Sequence, residues 1–147
     1  MRLLAAISFL AALLVATPVR SQSTDDHAAV RQAALDYVEA LYEADPARIE
    51  RSVARDLVKI GYFRPNGDAE YGLAPMTYEG LHSLAARWNA DGQRADPATA
   101  PKEITVHTVR NRTAALSLEA AWGVDHMQLA KGDDGRWRIV HVLWESP

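Results

Sequence analysis

One carboxylate is set apart by its neighbours. Asp125 follows the Trp122-Gly123 turn, in a run that alternates apolar and polar residues. Alternation along a strand sends successive side chains to opposite faces, so Asp125 shares a face with Met127 and Leu129. A carboxylate flanked by Val124 and Met127 beside a tryptophan-lined hollow loses solvation, which raises its pKa and suits it to general-base work. The competing reading is structural: an aspartate at a strand start, bonded to a turn amide or to an arginine such as Arg138. His141 is the second polar candidate. The last strand divides into the set Trp137, Ile139, His141, Leu143 and the set Val140, Val142, Trp144, both apolar enough to be covered. The functional reading places Asp125 and His141 inside the hollow as groups that orient a ligand. The alternation alone leaves open which set looks inward.

Other chemistries have little support. The chain has no cysteine, hence no disulfide and no thiol nucleophile. His107, His126 and His141 fall on expected strands, but no pair has the close spacing of a zinc site, and catalytic zinc takes about three protein ligands. His27 and His82 sit on expected helices without an evident partner. No metal and no cofactor is expected. The net charge is −3, without basic runs, which argues against nucleic acid and against anionic lipid surfaces.

The first residues read as a leader. Met1-Arg2 is positive, Leu3 to Ala16 is apolar apart from Ser8, and small and polar residues follow at Ser21-Gln22-Ser23. The run falls short of the roughly 20 apolar residues of a spanning helix, so residues 1–23 are expected to be a signal peptide cleaved near Ser21 or Ser23. Residues 24–147 then form one periplasmic or secreted domain, with no membrane association after cleavage.

The elements that must hold Asp125 follow from periodicity. Asp25 to Ala44 carries the stripe Val30, Ala33, Ala34, Tyr37, Val38, Leu41, Tyr42 at helical spacing, with Ser23 or Thr24 as cap. Asp45 caps a short second helix that starts at Pro46 and carries Ile49 and Val53. Leu57 to Phe63 is a strand, Arg64-Pro65-Asn66-Gly67-Asp68 a return loop, and Glu70 to Leu73 a partner strand stopped by Pro75. Thr77 caps a third helix, stapled by Met76 on Leu81 and burying Leu81, Leu84, Ala85 and Trp88 as far as Gly92. Glu103 to Val109 is a strand. Three antiparallel strands close the chain within Arg112 to Ser146, turned at Trp122-Gly123 and Gly132-Asp133-Asp134-Gly135. They carry Trp122, Trp137 and Trp144. The order is α+β: helices first, then a long curved antiparallel sheet, together a half-open cone.

That order, the long first helix and the ending Gly-Arg-Trp-Arg-Ile-Val-His-Val-Leu-Trp resemble the nuclear-transport-factor-2-like superfamily. Met76-Thr77-Tyr78-Glu79-Gly80-Leu81, Trp88-Asn89-Ala90-Asp91-Gly92, Trp122-Gly123-Val124-Asp125 and Leu143-Trp144 resemble its putative lumazine-binding branch. Members of that branch tend to carry His-Pro where this chain has Ala54-Arg55, and Tyr where it has His126. A catalytic role for that histidine in relatives therefore has no counterpart here. Resemblance to superfamily isomerases, which pair a cavity aspartate with a tyrosine on the first helix, implies Tyr37 as partner of Asp125. The resemblance also implies a homodimer paired through the sheet. The expected function is binding of a small apolar or aromatic molecule. Tyr37, Trp88, Trp122, Met127 and Trp137 would form walls, and Asp125 and His141 would orient the ligand. The alternatives are a cofactor-free isomerase, dehydratase or hydrolase with Asp125 as base, and a dimeric interaction module with a filled, inert cone.

Overall fold

The computed structural model describes residues 20–64 and 70–147, with side chains from residue 24 onward. Most of the expected leader and the return loop at Pro65–Asp68 lie outside the described residues. The elements run α1 (Arg20–Tyr42), α2 (Ala47–Ser52), β1 (Val53–Phe63), β2 (Gly72–Met76), α3 (Tyr78–Ala85), β3 (Lys102–Val109), β4 (Thr113–Ala120), β5 (Gly123–Lys131) and β6 (Trp137–Glu145). None of the described helices is long and apolar enough to cross a membrane.

The six strands form one sheet in the order β2-β1-β6-β5-β4-β3. All neighbours are antiparallel except β1 and β6, which run parallel. The sheet is thus mostly antiparallel, as expected, with this one parallel pair added. A parallel pair requires a long crossover, and here everything from β2 to β5 supplies it. The inner face presents Leu57 and Lys59 from β1, Ile139 and Val142 from β6, Asp125, Met127 and Leu129 from β5, and Leu116 and Leu118 from β4. Against them α1 lays Val30, Ala34, Tyr37, Val38 and Leu41, all buried, as the 3.6-residue stripe requires.

Several boundaries differ from the sequence expectation for local reasons. Backbone already helical from Arg20 puts Ser23 and Thr24 inside α1, so neither occupies the cap position. At its other end, Ala44 takes a left-handed φ of 53°, and the Asp45 amide donates back to the Ala40 carbonyl at 3.0 Å. That is a Schellman-type ending in which a non-glycine residue bears the strained angle. α2 starts at Ala47, one residue later than expected, with Pro46 rather than Asp45 at the cap position; the Asp45 carboxylate instead accepts from the Ala47 amide at 3.1 Å in the turn before it. Val53 leaves the helix and begins β1. Pro75 does not stop β2 but lies within it, tolerated because β2 is an edge strand. α3 ends at Ala85, and single turns carry the chain to Gly92 (φ 69°). Asn89 explains that segment. Its amide donates to the Tyr42 and Ala95 carbonyls, both at 2.7 Å, and its oxygen accepts from the Arg94 and Ala95 amides.

Two polar clusters fix α1. Asp36 is paired with Arg48 (2.9 Å) and Arg51 (2.7 Å), both on α2. Burial alone would raise this carboxyl, but the two guanidiniums more than offset it and hold it below its ordinary value. Near the helix start, Asp26 accepts from Lys131 Nζ at 2.7 Å and Trp137 Nε1 at 3.0 Å.

Relief of the left-handed strain gives a direct check. Ala44→Gly is expected to stabilise the fold by about 1 kcal/mol, seen as a melting temperature raised by a few degrees. An unchanged or lowered value would show that this helix ending is not strained.

Candidate functional site

β6 decides what faces inward. Met127 pairs with Val142 and Gln128 with His141, but Leu129 pairs with Ile139, so β6 carries one extra residue, Val140, as a bulge. Alternation therefore changes phase within the strand. Trp137 and Ile139 face inward before the bulge, and Val142 and Trp144 after it. His141 and Leu143 are thrown onto the outer face, Leu143 to 43% exposure. Placing His141 in the hollow, as strict alternation allowed, is thus corrected.

Asp125 is fully buried on the inner face, with 0% exposure. Its partner is neither a turn amide nor Arg138, which binds Asp134 instead at 2.6 Å. Trp122 Nε1 donates to Oδ2 at 3.1 Å, and Lys59 Nζ lies 3.5 Å from Oδ1. Lys59, itself 5% exposed, donates to Tyr37 Oη at 2.9 Å. Its Nζ sits 5.1 Å from the Trp144 ring centroid and 5.6 Å from that of Tyr37. Asp125, Lys59 and Tyr37 thus form one buried polar cluster on three separate elements, and Asp125 Oδ1 has no hydrogen-bond donor within ordinary reach.

Desolvation dominates this cluster. Burial raises the Asp125 pKa, opposed first by the charge of Lys59 and then by the hydrogen bond from Trp122. Burial lowers that of Lys59, opposed by Asp125. Burial, with the nearby carboxylate, pushes the Tyr37 phenol well up. Both members of the ion pair are therefore driven toward their neutral forms, as expected for charges removed from water.

Above Lys59 lies a cavity of about 70 Å³. Its floor is Tyr37, Leu41, Lys59 and Leu81. Its mouth is made of partly exposed Met76, Leu84, Trp88, Trp122 and Trp144. The tryptophans are held edge-on: Trp122 lies 5.3 Å from Trp88 and 5.5 Å from Tyr42, centroid to centroid. Tyr42 locks that arrangement by donating to the Pro101 carbonyl at 2.7 Å and accepting from the Ala121 amide at 2.8 Å. Trp144 packs directly on Gly61. A Cβ there would fall 1.8 Å from its Nε1, so only glycine admits the indole.

Of the residues expected to form the site, Tyr37, Trp88 and Trp122 line the cavity, with Asp125 directly behind Lys59 and Trp122. Met127 is packed in the core and does not line the cavity. Trp137 belongs elsewhere: its partner Asp26 lies eleven residues before Tyr37 on α1, about 16 Å along a helix. It fills the far end of the cone. Lys59 and Trp144 were missed. The signal for Lys59 was present, since Leu57, Lys59 and Gly61 share one face of β1, but outward Val58 and Ile60 are apolar too and hid the phase. The bulge hid Trp144.

On the outer face, Ser117 Oγ joins His107 Nε2 (2.7 Å) and His126 Nδ1 (3.2 Å). Among the described residues no three His, Asp or Glu side chains gather as a metal site. A larger hollow of about 660 Å³, lined by Tyr62, Glu119, Val124, His126, Leu143 and Glu145, also opens on this face.

Breaking the buried pair should be costly only when it is done from one side. Lys59→Met strands Asp125 and is expected to destabilise by about 3–5 kcal/mol at neutral pH, whereas Lys59→Met with Asp125→Leu should recover most of that loss. Equal losses in the single and double variants, measured by denaturant unfolding, would contradict the coupling.

A family profile described as putative lumazine-binding matches residues 25–145. Among curated proteins nothing matches. Similar solved structures include a nuclear-transport-factor-2-like protein of unknown function from Silicibacter pomeroyi DSS-3, at 18% identity and TM-score 0.64, covering 85% of this chain and 98% of that one. Another, from Methylobacillus flagellatus KT, has 18% identity and TM-score 0.62 over 88% and 96% of the two chains. A ketosteroid isomerase-like protein from Erwinia carotovora atroseptica is similar at 17% identity and TM-score 0.50, over 81% of this chain and 94% of that one. These likenesses concern the fold. With the profile spanning nearly all of the described domain, the chain belongs to the putative lumazine-binding family and has the nuclear-transport-factor-2-like fold.

Proposed function

We propose that the protein binds a small, largely apolar or aromatic molecule at the mouth of the cone, with one polar group directed to Lys59. The observation that carries this reading is the buried Lys59–Tyr37–Asp125 cluster at the floor of an aromatic-walled opening. Polar groups with spare hydrogen-bonding capacity beneath apolar walls are the usual composition of a ligand site. The size of the space limits the ligand. At about 70 Å³ it is far below the roughly 300–1,000 Å³ of drug-sized sites. The polar head and first few carbons would enter, and the apolar remainder would lie between Trp88 and Trp144. A bicyclic lumazine would need those side chains to move apart.

Catalysis with Asp125 as general base has less support. Asp125 lies behind Lys59 and Trp122, so any proton exchanged with a ligand would pass through Lys59 or Tyr37. Export to the periplasm or beyond is supported by the Met1-Arg2 start and the apolar run Leu3–Ala16. Pairing of two copies through the outer sheet face is supported by exposed Val58, Val124 and Leu143 on adjacent strands.

Two experiments test these readings. Benzyl alcohol should change the tryptophan fluorescence saturably, and Leu84→Trp, which fills the mouth, should weaken that binding at least tenfold while circular dichroism stays native. Equal response in both proteins would exclude the cavity as the site. In size-exclusion chromatography with light scattering, the chain should run as a dimer and Leu143→Arg as a monomer; a monomeric parent protein would end the pairing proposal.

A further inference from the structure

The cluster beneath the cavity contains a group that ligand orientation alone does not require. Of the three lysines in the chain, Lys102 is paired with Glu39 at 3.2 Å and Lys131 with Asp26 at 2.7 Å, both near the surface. Lys59 alone is buried, and it lines a cavity. An ammonium carries three N–H donors. Around Nζ, Tyr37 Oη accepts one, and Asp125 Oδ1 stands at a long 3.5 Å. A neutral amine has two N–H donors, which these two oxygens can receive, leaving its lone pair for the cavity.

We propose that Lys59 is a nucleophilic amine that condenses with a small neutral aldehyde or ketone entering the cavity, forming an imine. This rests on the binding reading above and names the ligand class. The Nζ lone pair attacks the carbonyl carbon and forms the C–N bond. The carbonyl π electrons move to oxygen, which takes a proton from Tyr37 Oη, and the proton released from nitrogen returns to the Tyr37–Asp125 pair. The carbinolamine then loses its hydroxyl as water, using a second proton from that pair, while the remaining N–H proton restores it. Amine and carbonyl give imine and water, with no oxidant or reductant. Desolvation of a lysine in an apolar pocket is an established means of exposing its nucleophilic form. The lining residues include no arginine, and a carboxylate stands directly behind the amine, so keto acids are disfavoured.

The test is reductive trapping. The protein is incubated with benzaldehyde and sodium cyanoborohydride at neutral pH, digested, and mapped by mass spectrometry. One benzyl group on Lys59, formed at least tenfold faster than on Lys102, Lys131 or the terminal amine, is the expected result. Leu84→Trp should slow Lys59 labelling at least tenfold, and Lys59→Arg should abolish the fast phase. Fast labelling of the surface lysines with Lys59 untouched would overturn the proposal. If benzyl alcohol binds at the Leu84-dependent site while Lys59 stays unlabelled, the imine fails and the binding reading stands. If neither occurs, both fail.

Discussion

The structure turns on a lysine and an aspartate buried side by side. Each charge is expensive to bury alone, and their attraction across 3.5 Å compensates only if the surrounding groups hold them in place. Much of the local architecture can be read as meeting that condition. Trp122 Nε1 donates to the far carboxylate oxygen, Tyr37 Oη accepts a hydrogen bond from the amine, and the Trp144 ring covers it. Gly61 exists in the form it does because that ring must lie directly on β1. The turn that carries Trp122 requires its own glycine: Gly123 has φ 123°, and a Cβ there would meet the Glu145 carbonyl at 2.1 Å.

Positioning comes from elements distant in sequence. α1 supplies Tyr37, β1 supplies Lys59, β5 supplies Asp125 and β6 supplies Trp144. The parallel pairing of β1 with β6, next to β5, is what brings the last three together. Asn89 and Tyr42 clamp the segment after α3 to the end of α1 and so fix Trp88 at the rim. The two ends of the cone differ accordingly. Trp137 and Asp26 close one end, while three tryptophans surround an opening at the other.

Most of the fold was legible in the sequence because periodicity and turn chemistry report it directly. The α1 stripe, the Thr77 cap (its Oγ1 accepts from the Gly80 amide at 3.2 Å), the Asp-Gly turn and the strands β3 to β6 stand where their residues place them. The importance of Asp125 was also legible, since a carboxylate on the face of Met127 and Leu129 must be buried. Its partner was not. A period-2 pattern assigns faces only while the register is continuous, and one extra residue at Val140 reverses it, moving His141 out and Trp144 in. β1 shifts register as well, between Val53 and Val58, so the inward position of Lys59 could be fixed only with the strand pairing known.

The central claim is that Lys59 and Asp125 form a desolvated pair displaced toward neutrality, with Tyr37 as the third titratable group in contact. The most direct measurement is nuclear magnetic resonance titration of the Asp125 carboxyl carbon together with the Lys59 amine nitrogen. The account predicts that Asp125 titrates above its ordinary value of 3.8 and Lys59 below its ordinary value of 10.5. An aspartate titrating at or below the usual carboxylate range, beside a lysine at or above the usual amine range, would contradict it.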